Sequence, residues 1–125
     1  MPCLAPGGRA ALQIAGASSA TTPGSVTHAV LLKLKADAST AQIAAIVEGL
    51  RSLPAKIPAI KSYNVGQQIA AVDDGRNMTL GLVATFASEA DYQIYAGHPD
   101  HKAVIVDKIV PCLAPGGRVA LQFQA

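Results

Sequence analysis

The sequence predicts an α+β fold, and three observations predict it. Short apolar or alternating stretches suit strands at Val26 to Lys35, Ile60 to Ile69, Met78 to Phe86 and Arg118 to Phe123. After the first and third of these, the apolar spacing changes to the threes and fours of a helix. Two capping signals, Ser39 with Gln42 and Ser88 with Asp91, mark where those helices begin.

The totals agree with a single small domain. The chain has 125 residues, half of them hydrophobic, which is enough for a core. Aromatic residues make up 4% and Trp is absent, so that core is expected to be aliphatic. A net charge of +2, scattered along a chain only 14% charged, argues against nucleic acid or a membrane surface as partner. No apolar run approaches the roughly 20 residues of a membrane-spanning helix. Cys3 and Cys112 form neither a CxxC pair nor a metal-finger spacing, so a reduced, cytoplasmic protein is expected. Ala17-Ser18-Ser19-Ala20 faintly resembles a secretory cleavage site, but Gln13 and Gly16 interrupt the apolar stretch before it.

The termini are related. Residues 2–13, PCLAPGGRAALQ, recur as residues 111–122, PCLAPGGRVALQ, identical at eleven of twelve positions. Residues 1–25 are therefore expected to be an extension: a near-copy of the C-terminal segment followed by a small, polar, flexible linker. Residues 26–125 are the domain. In the C-terminal copy, Pro-Gly-Gly reads as a turn, and Arg118 to Phe123 alternate as a strand with one buried face.

Within the domain the order is strand, helix, strand, strand, helix, helix, strand. Val26 to Lys35 is apolar through its middle and reads as central. Ile43, Ile46, Val47 and Leu50 form the stripe of the first helix, which Pro54 is expected to stop. Gly66 is a candidate bulge in the second strand. Asp73-Asp74-Gly75-Arg76-Asn77 reads as a turn and lacks the further acids of a calcium loop. The helix carrying Tyr92 and Tyr95 breaks at Gly97, and a second begins at Pro99 and runs to about Ile109 or Leu113. This β-α-β-β-α(α)-β order is the split pattern of ferredoxin-like domains. Apolar residues on both sides of the strands leave one sheet face in need of cover. A second copy, packed sheet to sheet as a homodimer, is the simplest cover.

Chemistry concentrates in Tyr95-Ala96-Gly97-His98-Pro99-Asp100-His101. If His101 lies one turn into the second helix, the break returns it toward Tyr95, and an imidazole beside a phenol is a small acid/base site. The plainer reading makes Tyr95 core, His98 a helix cap and His101 solvated. A metal site at His98 and His101, with Asp100 or Asp107, lacks a clear third ligand, so neither metal nor cofactor is assigned. Pro-Gly-Gly-Arg lacks the Lys and following helix of a phosphate loop. Cys112 has no basic neighbour in sequence to activate it.

Val26 to Lys35 with His28, Ile57-Pro58 leading into Ser62-Tyr63-Asn64-Val65-Gly66, and the Tyr-x-x-His-Pro-x-His run together resemble the stress-responsive A/B barrel domain family (Dabb), over about residues 26 to 124. The resemblance implies a ferredoxin-like homodimer in which two four-stranded sheets form a dimeric α/β barrel and the C-terminal strand reaches toward the partner. A plant polyketide cyclase of that family closes a linear thioester by aldol condensation without metal or cofactor. Its catalytic Tyr and His match Tyr95 and His101, and the family's first-strand His matches His28. A further pocket His of the cyclase is replaced here by Leu80. The implied function is binding of a small apolar or polyketide-like molecule between helices and sheet. His28, Tyr63, Leu80 and His98 are the expected ligand-binding residues, with Tyr95 and His101 as the pair for any cofactor-free cyclase or lyase step. A structural, stress-related oligomer without ligand is the alternative.

Overall fold

The computed structural model describes residues 24–69 and 78–125. Its elements are β1 (Val26–Leu34), α1 (Thr40–Arg51), α2 (Leu53–Lys56), β2 (Ile60–Gln67), β3 (Leu80–Phe86), α3 (Glu89–Gly97), α4 (Pro99–Val104) and β4 (Leu113–Gln124). A π turn, Ile105–Ile109, and a tight turn, Val110–Cys112, join α4 to β4. The sheet order is β2-β3-β1-β4, with every neighbouring pair antiparallel. This is the expected ferredoxin-like arrangement, with β1 central. The expected turn at residues 73–77 and the N-terminal near-copy lie outside the described residues.

Local chemistry sets the helix starts. Ser39 Oγ accepts the Gln42 N–H at 3.1 Å, and Gln42 Oε1 accepts the Ser39 N–H at 2.8 Å, a complete capping box. Ser88 Oγ accepts the Asp91 N–H at 3.2 Å. α1 then buries Ile46, Val47 and Leu50 against the sheet. Pro54 does not stop α1, which already ends at Arg51; it sits in the first turn of α2, where its missing N–H is harmless.

Two expectations about the strands are corrected. Gly66 pairs regularly with Gly81, and the irregularity of β2 falls between Ile60 and Ser62. Pro115-Gly116-Gly117 does not separate a turn from a strand but lies within β4. Leu34 faces Leu113 and Leu32 faces Arg118, so β4 advances five positions while β1 advances two. The extra residues form a wide bulge. Gly116 takes a φ of 65°, which favours glycine. Gly117 is pressed so close to β1 that an added Cβ would lie 2.3 Å from the Lys33 carbonyl oxygen.

Register and alternation sort the side chains between two faces. Val26, His28, Val30 and Leu32 of β1 share the helix-covered face with Leu80, Leu82, Ala84 and Phe86 of β3. On β4 the larger apolar side chains beyond the bulge point the other way. Val119, Leu121 and Phe123, 49–60% exposed, lie opposite Leu31, Ala29 and Thr27 on the open face.

Candidate functional site

The break between α3 and α4 is a built corner. His98 is extended, at φ −69° and ψ 135°, and its Nδ1 accepts the Asp100 N–H at 3.1 Å. Pro99 follows in the first turn of α4. The corner folds α4 back so that the His101 ring packs on the Tyr95 ring, with centroids 4.1 Å apart. His101 Nδ1 lies 3.3 Å from the Ala96 carbonyl oxygen. A carbonyl only accepts, so this contact puts the ring proton on Nδ1 and leaves Nε2 as the basic nitrogen.

Tyr95 is 1% exposed and touches Phe86, His28 and Tyr63 as well as His101. Its hydroxyl is 2.9 Å from that of Tyr63 on β2. His28, on β1, is also buried, and Gln122 Nε2 of β4 donates to its Nδ1 at 3.0 Å. The neutral His28 ring therefore carries its proton on Nε2.

These groups meet at a cavity of about 160 Å³ between sheet and helices. Val30, Leu32, Leu82 and Leu50 form its apolar walls. Ile105 and Ile109 of the π turn and Leu113 of β4 close another side. Its polar groups are His28, Tyr95, His101 and Arg118. A π turn widens the helix by one residue per turn and is common at functional sites. A larger groove of about 420 Å³ crosses the outer sides of α1 and α4 past Glu48, Lys56, Asp107 and Lys108. It is open and of mixed charge, as a solvated surface is. Among the described residues, no three His, Cys, Asp or Glu side chains gather closely enough to hold a metal ion.

A family model described as a stress responsive A/B barrel domain matches residues 26–124. The chain belongs to the stress responsive A/B barrel family. Solved structures share its fold. A dimeric ferredoxin-like protein of unknown function from Thermobifida fusca is 29% identical, with a TM-score of 0.72, covering 86% of this chain and 97% of that one. A dimeric protein of unknown function and ferredoxin-like fold from Bacteroides fragilis is 26% identical, with a TM-score of 0.67, over 82% of this chain and 97% of that one. A hydroxynitrile lyase from Passiflora edulis is 21% identical, with a TM-score of 0.70, over 83% and 95%. No curated protein matches in sequence.

In this stress responsive A/B barrel chain, burial decides the charge states. Burial first, then the nearby Arg118 and His101 charges, lowers the His28 pKa to about 4. Burial also lowers that of His101, opposed by its hydrogen bond to Ala96. Both imidazoles are neutral at pH 7, as a proton acceptor must be. Burial raises the Tyr95 hydroxyl to about 12, with the Tyr63 hydrogen bond pulling the other way. Burial and Tyr95 raise Tyr63 further. Either hydroxyl can donate in this pair; with Tyr63 as donor to Tyr95 Oη, the Tyr95 proton is free for another acceptor.

Of the residues singled out from sequence, Tyr95, His101 and His28 line the cavity, and Tyr63 stands behind Tyr95. Leu80 and His98 do not line it. Leu80 is fully buried opposite Leu32, and the His98 ring is occupied in capping α4. Sequence reasoning missed Arg118 and Gln122, which register brings beside Leu32 and His28. The signal was present: in a strand whose apolar residues alternate, the polar positions share the other face.

Among the described residues no helix is long and apolar enough to cross a membrane.

Proposed function

We propose that the cavity binds a small molecule with an apolar body and one carbonyl or hydroxyl group, and that His101 and Tyr95 move a proton on it. The observation that carries this reading is the neutral His101 ring, anchored by Nδ1 on Ala96 and packed on Tyr95 at the wall of the apolar cavity. Nε2 of His101 accepts a proton from carbon or oxygen, while the Tyr95 hydroxyl donates to the ligand oxygen. Neither step needs a metal or cofactor. Size narrows the ligand. A dry engineered cavity of about 150 Å³ holds one benzene, so 160 Å³ suits a single ring with a short substituent. A long polyketide thioester exceeds it. The shared fold of the Passiflora hydroxynitrile lyase is consistent with lyase-type proton transfer. The free, buried thiol of Cys112 fits a reducing, cytoplasmic setting.

Homodimerisation is part of the same proposal. The open face carries Val119, Leu121 and Phe123 to solvent, and the Thermobifida and Bacteroides proteins are described as dimeric.

Acetophenone tests the site. Its α-protons should exchange with deuterated buffer faster in the presence of the protein, and His101→Ala should remove that acceleration while leaving the fold intact. Binding seen by NMR at the Tyr95 and His101 rings, with no accelerated exchange, would reduce the reading to a binding pocket. No binding by a series of aromatic aldehydes and ketones of this size would refute it.

A further inference from the structure

Residues 111–124 form the turn and edge strand beside β1, and nearly the same sequence stands at residues 2–15. The spacing between copies is constant, so each contact of β4 has a counterpart. Arg118 at the cavity corresponds to Arg9, Gln122 at His28 to Gln13, and Leu113 at the cavity wall to Leu4. The bulge glycines Gly116 and Gly117 correspond to Gly7 and Gly8. Over residues 111–123 and 2–14 the copies part at Val119 against Ala10 and Phe123 against Ile14, and both positions belong to the open face.

We propose that residues 2–14 are a second edge strand that exchanges with β4 for the same place beside β1 of the same chain. The register carries over: Gln13 opposite His28, Leu12 opposite Ala29, Ala11 opposite Val30 and Arg9 opposite Leu32. The connection is short. The chain enters β1 beside the end of β4, where the Gly24 N–H donates to the Ala125 carbonyl at 3.1 Å. A strand in the β4 place runs toward that point, so residues 15–25 need only turn back as a hairpin loop. Loop-closure entropy grows slowly with length and permits such a loop. Exchange keeps the Leu and Arg that line the cavity and the Gln that holds His28, and it trims the open face. It also frees the strand that carries Phe123.

Gly117 provides the test, because an added Cβ there meets the Lys33 and Ala114 carbonyl oxygens at 2.3 and 2.8 Å. Gly117→Ala obstructs β4 and leaves the N-terminal copy untouched. In the full-length Gly117→Ala chain, the pair Leu12→Cys and Ala29→Cys should oxidise to a disulfide within one chain. It should do so several-fold faster than the out-of-register pair Ala11→Cys and Ala29→Cys. Peptide mapping distinguishes these bonds from any at Cys3 or Cys112. Thermal melts give a second reading. Gly117→Ala and Gly8→Ala singly should melt close to the parent, while the double variant should melt lower by more than the sum of the two. Absence of the Leu12–Ala29 bond, equal rates for both pairs, a bond only between chains, or a Gly117→Ala chain that melts as low as the double variant would each overturn the proposal.

Discussion

Acidification from pH 7 to pH 5 should weaken the fold through His28. The side chain is 3% exposed and has a pKa of about 4, against an ordinary 6.5. The folded state therefore resists the proton that the unfolded chain accepts. A lowered folded value means that stability is complete above pH 6.5 and is lost as the pH falls toward 4. Within that window one such group changes stability by about 1.4 kcal/mol per pH unit. From pH 7 to pH 5 the loss is about 2 kcal/mol, because the unfolded histidine is only partly titrated at the start. His101 adds to it in the same direction. Urea unfolding at a series of pH values measures the slope, and His28→Gln isolates the share of His28. NMR of the ring should show a neutral, Nε2-protonated imidazole at pH 6. A ring that titrates near 6.5, or a slope unchanged in His28→Gln, would refute the account of a buried neutral base held by Gln122.

Two further outcomes follow from the geometry. Tyr95→Phe removes the hydroxyl contact with Tyr63 but keeps the ring stack on His101, so it should cost about 1 kcal/mol in urea unfolding and abolish acetophenone exchange. Leu121→Asp places a carboxylate on the open face, 60% exposed in the single chain. It should convert dimers to monomers in sedimentation velocity while leaving the monomer's melt nearly unchanged. Persistent dimers would place the interface elsewhere.

Much of the fold was legible because its signals are local. Ser39, Ser88 and the Gly97-His98-Pro99 break act over a few residues, and their partners in space are their neighbours in sequence. The same holds for His101 and Tyr95, which one corner brings together. Pro115-Gly116-Gly117 was misread because a glycine pair permits a bulge as readily as a turn, and only pairing with β1 decides between them. Arg118 and Gln122 reach the site through that pairing, across most of the chain, where no short-range spacing reveals them. The π turn that sets Ile105 and Ile109 at the cavity leaves no mark in a run of residues that suits an ordinary helix.

The ring cluster also gives the protein an optical reporter. The chain has three tyrosines and no Trp. Tyr63 and Tyr95 share a hydrogen bond, and Tyr92 packs on His28 and Phe86. All intrinsic emission thus originates within the aromatic cluster around the cavity, without energy transfer to a remote indole. A ligand entering beside Tyr95, or a proton arriving on His28, changes the surroundings of most of the emitters at once, so unlabelled protein can be titrated by its own fluorescence.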